Sequence, residues 1–156
     1  MGSMGRVLGI SCSKGGVLLA LVGDDGSLSA SPDRVKPSAL LAEDEALRAM
    51  LADLGRIISS ARVSRVRLLL PEASVGHKHP DIAPRIAYET LFRLAAFQAG
   101  VPVEQLSRSE ARRRLGLGTR GEFEKLLTEE IIGLPVGRYW SEGRKLAMAA
   151  ALADIG

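Results

Sequence analysis

One cysteine, Cys12, stands in a chain of 156 residues, so no internal disulfide is available and a reducing, cytoplasmic setting is expected. Aromatic residues make up only 4% of the chain, too few for a face that holds single strands by stacking bases. Histidine occurs only twice, as His77 and His79 in one loop with Asp81, where alternating histidines can share a metal but no further ligand is assigned. No apolar run approaches the roughly 20 residues that a membrane-spanning helix needs, and no signal-peptide pattern is present, so no membrane partner is expected. Internal repeats, low-complexity tracts and linkers are likewise missing. Met1-Gly2-Ser3 reads as a tag remnant, and residues 4–156 as a single domain.

What is present describes an ordinary globular protein, with 46% hydrophobic and 25% charged residues. The net charge of +3 permits nucleic-acid binding without demanding it. Arg6–Ser13 and Val17–Val22 read as a hairpin around Lys14-Gly15-Gly16, and a weaker strand is expected over Leu28–Val35. After Pro37-Ser38, the spacing of Leu47, Met50, Leu51, Leu54, Ile57 and Ile58 predicts a long helix. Its early acids and later arginines suit the helix dipole. Arg65–Leu70 reads as a central strand. A loop over residues 73–84 and a helix over Arg85–Ala99, closed by Gly100, are expected next. Val101–Leu106 reads as an edge strand because Pro102 has no N–H to donate. Ser107-Arg108-Ser109-Glu110 and Thr119-Arg120-Gly121-Glu122 are capping boxes opening further helices, the second carrying Phe123, Leu126, Leu127 and Ile131. An alanine-rich helix over Ser141–Ala153 ends the β-β-β-α-β-α-β-α-α-α order.

That order resembles the RNase H-like fold, and five local stretches resemble RuvC-type resolvases. They are Gly9-Ile10-Ser11-Cys12-Ser13; Leu68-Leu69-Leu70-Pro71-Glu72; Ala99–Val103 with Leu106–Glu110; Leu115–Arg120 with Lys125; and Lys145–Leu152. The resemblance spans nearly the whole chain from Met4 and rests on the order of all five stretches. It implies an α/β, RNase H-like (RuvC-like) fold, a mixed five-stranded sheet with helices on both faces. It further implies a site at the strand ends where carboxylates hold two divalent metals. Here the chain departs from the pattern. Ser11 stands at the first-strand aspartate position, and Ser141 and Arg144 stand at the C-terminal aspartate positions, while Glu72 is kept. Mg²⁺ demands hard oxygen ligands in near-octahedral array, so this set disfavours the two-metal reaction.

The expected function is therefore a catalytically degenerate RuvC-like module that binds DNA, RNA or a partner protein, as a homodimer and without a cofactor. Its basic candidates are Lys78, Arg112, Arg113, Arg120, Lys125, Arg144 and Lys145, with Arg144 set to replace metal charge at a phosphate. One alternative is an unusual Mg²⁺- or Mn²⁺-dependent nuclease using Glu72 and Glu142, with His77 or His79 in support. Another is a pure interaction scaffold. Each candidate also has a plainer reading. Glu72 can be a solvated strand exit, the His77–Asp81 stretch a polar loop, and the arginines a solvated face diluted by Glu110, Glu122, Glu124, Glu129 and Glu130. Gly116-Leu117-Gly118-Thr119-Arg120-Gly121 fits the dinucleotide fingerprint in letters only, since it follows a helix; Thr119 and Arg120 could still hold a backbone phosphate there. Cys12 is expected as a small buried apolar residue. Tyr139 and Trp140 read as core packing, as do Tyr88, Phe92 and Phe97, any exposed remainder of these last three serving as a dimer face.

Overall fold

The computed structural model describes residues 5–13, 15–70, 79–115, 140 and 144–153, with the side chains of the second long helix described from residue 83. Five strands form one sheet: β1 (Arg6–Ser13), β2 (Gly16–Val22), β3 (Arg34–Val35), β4 (Val63–Leu69) and β5 (Val103–Leu106). Their spatial order is β3-β2-β1-β4-β5. The first three pair antiparallel, while β4 and β5 add in parallel beside β1. The helices are α1 (Glu43–Ser60), α2 (His79–Gln98), α3 (Arg108–Arg114) and α4 (Lys145–Leu152). The mixed five-stranded sheet expected from the sequence is the sheet observed.

Strand alternation sorts the core into two layers. Leu8, Ile10, Val17, Leu19, Leu21, Val66 and Leu68 pack against Met50, Leu54 and Ile58 of α1 and Phe92 of α2. On the other face, Ala20, Val22, Leu69 and Leu106 meet Ala111 of α3 and the alanines of α4. All of β2 is buried, as its continuous apolar run requires. Ala46, Met50, Leu54 and Ile58 are buried at four-residue spacing, which makes one stripe of α1.

Gly9 sets how closely α4 can approach. A Cβ built there would lie 1.8 Å from the Ala147 carbonyl oxygen and 2.8 Å from the Ala151 nitrogen. The alanine-rich helix therefore rests almost backbone to backbone on β1, the close packing that its small side chains predict.

Several boundaries differ from the sequence reading. The strand expected over Leu28–Val35 is reduced to Arg34–Val35 and an isolated bridge between Val22 and Leu28. Between them the carbonyls of Ser29, Ala30 and Pro32 turn toward the Arg144 guanidinium. Helix α1 begins at Glu43, because Ser38 caps a local turn by accepting from the Leu40 N–H. Its last turn holds no basic residue, since Arg56 sits a turn early and pairs with Asp53. Helix α2 begins at His79, well inside the expected loop. Pro80 occupies its second position, where a missing N–H costs nothing, and Pro84 forfeits one internal bond without ending the helix. Gly100 closes it with φ 72°, as expected. The expected helix opening at Thr119 lies outside the described residues.

Candidate nucleic-acid interface

The carboxyl ends of parallel strands are where open α/β sheets gather ligands, and here β1 and β4 end side by side. Ser11 lies in register between Leu18 and Leu69, on the α4 face with Gly9. Only 8% of its surface is exposed. A buried hydroxyl thus stands where the resemblance places a carboxylate. Glu72, three positions beyond Leu69, lies outside the described residues, as do His77, Lys78, Arg120, Lys125, Tyr139, Ser141 and Glu142. His79 is the first residue of α2, and its side chain is likewise outside them. Among the described residues no group of three His, Cys, Asp or Glu side chains could hold a metal ion.

Arg144 is described, and its surroundings correct one expectation. It is 6% exposed, just ahead of α4. Its Nε donates to the Leu19 carbonyl at 3.0 Å, and its Nη2 to those of Ser29 at 2.9 Å and Ala30 at 3.2 Å. Burial pulls its pKa below the ordinary arginine value, an effect opposed by the charge of Asp33. The guanidinium is a tie between α4 and the β2–β3 connection. A group committed to carbonyls and closed off from solvent does not serve as an open phosphate contact, so Arg144 leaves the proposed interface.

Arg112 and Arg113 lie on α3, which Ser107 caps by accepting from the Glu110 N–H at 3.1 Å. Half of the expected capping box is accounted for in this way. The Glu110 carboxylate is used instead by Arg113 and Arg114, with Arg113 Nη2 at 2.5 Å and Arg114 Nε at 3.0 Å. Those hydrogen bonds, Arg113's first, hold the Glu110 carboxyl below its ordinary range. Arg113 remains largely exposed. Arg112 and Lys145 are half-buried, and each has a partner. The helix thus offers solvent an arginine partly neutralised by its own glutamate.

The α3 network reaches the sheet through Glu104 on β5. Its Oε1 accepts from Arg67 Nη1 at 2.6 Å and from Arg114 Nη1 at 2.8 Å, and its Oε2 from Arg114 Nη2 at 2.9 Å. The hydrogen bond from Arg114 leads in holding the Glu104 carboxyl below its ordinary range. The sequence reading missed this cluster. The available signal was Arg65-Val66-Arg67, which puts two arginines on one face of an otherwise apolar central strand.

On the opposite face, Cys12 meets α2. Burial, and then the charge of Glu89, pushes its thiol up out of the reactive range; Cys12 packs against the core as a small residue but is half-buried, where full burial was expected. Glu89 lies 3.7 Å from Arg85 Nε, with both side chains largely buried. Tyr88 and Phe92 are core, as expected, and Trp140 packs against the α4 cluster. Phe97, 81% exposed, is not.

A three-stranded antiparallel meander extended by two parallel strands, with helices on both faces, defines an α/β protein of the RNase H-like fold. Among solved structures it is similar to RuvC of Thermus thermophilus. For RuvC in complex with a Holliday junction substrate, the TM-score is 0.73 at 22% identity, over 95% of this chain and 91% of that one. For the second Thermus thermophilus RuvC structure, the TM-score is 0.72 at 21% identity, over 95% and 92%. The fold is therefore RuvC-like. No protein-family model matches the chain, and no curated protein matches it.

Proposed function

We propose that this chain is a nucleic-acid-binding module of RuvC-like fold that has given up two-metal cleavage. The reading rests above all on Arg144. Where the resemblance expects a metal-binding carboxylate, the chain carries a buried guanidinium hydrogen-bonded to backbone carbonyls. With Ser11 at the first-strand position, two carboxylates have become a hydroxyl and a cation. Both changes take away hard oxygen ligands that a two-metal group needs, which supports the loss of that chemistry. The fold of a junction-bound resolvase supports the binding half of the reading. Arg112, Arg113 and Lys145, with Lys78, Arg120 and Lys125, are the basic residues assigned to the phosphate backbone.

The module is a homodimer in this reading. Ile86, Leu94 and Phe97 of α2 are 52%, 41% and 81% exposed. Their helical spacing lines them up on one side of α2, away from Tyr88 and Phe92. No described helix is long and apolar enough to cross a membrane. A cytoplasmic setting accords with the single Cys12.

The test is a mobility-shift and cleavage assay on branched and linear DNA and RNA, with and without Mn²⁺. Salt-sensitive retention without cutting is the expected result. Mn²⁺-dependent cutting that disappears in Glu72→Gln would instead select an active nuclease built on Glu72 and Glu142. Failure to retain any substrate at low salt would leave the interaction scaffold.

A further inference from the structure

We propose that the cleft between α1 and α2 is a docking site for a protein partner, which it holds by an arginine side chain next to an apolar residue. The cleft measures about 310 Å³ and lies between residues 37–41, the first turns of α1 and residues 83–88 of α2. Ser38 shapes its lip, its Oγ accepting from the Leu40 N–H at 3.2 Å and its carbonyl from the Leu41 N–H at 3.4 Å. That turn sets Leu41 against the cleft and leaves its neighbour Leu40, 96% exposed, standing in water.

Tyr88 marks the cleft as more than a gap between helices. Its ring belongs to the core and the residue is only 7% exposed, yet among the described residues nothing is hydrogen-bonded to its hydroxyl. A buried tyrosine ordinarily finds a partner for its O–H. Here the hydroxyl meets the cleft near Glu43; burial first, and then the Glu43 charge, raises its pKa. Glu43 lines the same cleft, and among the described residues neither it nor its neighbours Asp44 and Glu45 pair with a cation. The helix dipole accounts for acids in a first turn, but not for an unpaired hydroxyl beside one of them. Leu47, Pro84 and Ala87 make the remaining wall apolar. An apolar cleft holding one carboxylate and one hydroxyl fits arginine. The stem lies along the wall, and the guanidinium fork donates to the Glu43 carboxylate and to Tyr88 Oη. A lysine head, a compact and strongly hydrated point charge, matches two separate acceptors less well. Leu40 then covers an apolar residue next to that arginine, which takes both out of water. A phosphate backbone is repelled by the same carboxylates, so the cleft does not rest on the basic residues assigned to nucleic acid.

The test is a peptide array with leucine-arginine fixed at the centre and randomised flanks, matched by an array with citrulline in place of arginine. Both are probed with the labelled full chain, and the strongest peptide is titrated by fluorescence anisotropy. Saturable binding is expected, about tenfold tighter for the arginine peptide than for its citrulline match, since citrulline loses the charge-assisted bonds. Glu43→Gln should weaken it about tenfold and Tyr88→Phe about fivefold. Asp24→Asn, past the end of β2 opposite Val35, should bind as the parent does. Tyr88→Phe keeps the ring that the core uses, so it folds, and an unchanged melting temperature verifies that. Absence of saturable binding, equal affinity for the arginine and citrulline peptides, or binding unmoved by both Glu43→Gln and Tyr88→Phe overturns the proposal. A dimer that falls apart in Leu40→Asp, with no peptide bound by the parent, overturns it too and assigns the cleft to a second copy. Nucleic-acid binding can survive each of these outcomes, so the two readings fail separately.

Discussion

At the scale of single residues, the tightest constraint on this molecule is the missing side chain of Gly9. Its would-be Cβ meets the backbone of α4, and a helix backbone cannot yield as a flexible side chain can. Gly9→Ala should therefore cost roughly 3 kcal/mol, the upper part of the overpacking range. For a chain of this size that is a fall in melting temperature of roughly 6–12 °C. Gly55 supplies the matched control. It lies inside α1 with nothing within 4 Å of its would-be Cβ. Gly55→Ala should raise stability by roughly 0.5–1 kcal/mol, because alanine loses less backbone entropy in a helix. Parallel thermal melts of the two variants check both signs. Gly9 was legible in the sequence only as part of a motif. Its role appears once the alanines of α4, some 140 positions later, are seen to lie against it.

Among the elements, α2 carries the most conflicting demands. One side buries Tyr88, Phe92, Ala95 and Ala96, another leaves Ile86, Leu94 and Phe97 in water, and between them Glu89 is closed off beside Arg85. Burial raises the Glu89 pKa above its ordinary value of 4.5, with the charges of Arg85 and Arg93 opposing the rise. A carboxyl raised on folding holds its proton more tightly in the native state. Its contribution is fully present below the unfolded value and is lost as pH rises through the folded one. Glu104 and Glu110 shift the other way, so their contribution is lost as pH falls, and both are open enough for solvent to screen them. Glu89→Gln should thus remove a decline in stability that the parent shows as pH rises from 4.5. Urea titrations across that range measure the slope, and the slope is the readout because the variant also leaves Arg85 without its carboxylate. An unchanged slope would refute the assignment. Element type was legible throughout the described residues, and boundaries were not. Pro80 and Pro84 look like loop residues in a sequence, yet only the position of a proline within a helix decides whether it breaks it. The Arg67–Glu104 pair was out of reach for a different reason. It joins residues 37 positions apart, and no periodicity within either strand points to the other.

For the whole molecule, the mixed five-stranded sheet was legible from the order of elements and the resemblance that this order carries, and the alanine-rich helix declared its own close packing. The candidate site was less so, since Arg144 looked like a free cation until the carbonyls around it were seen. If α2 pairs two copies, their basic faces engage one nucleic acid together, and the number of phosphates contacted doubles. For B-DNA the logarithm of affinity falls against the logarithm of salt with a slope of about −0.9 per contacted phosphate. Phe97→Glu places a carboxylate on the exposed stripe without touching the buried side of the helix. The variant should run as a monomer in light scattering, keep the parent's monomer fold, and show about half the parent's salt slope on duplex DNA. A dimer that persists in Phe97→Glu would remove α2 from the interface. A monomer with an undiminished slope would mean that one copy makes all the phosphate contacts, and the basic residues of the second copy would then have to face away from the duplex.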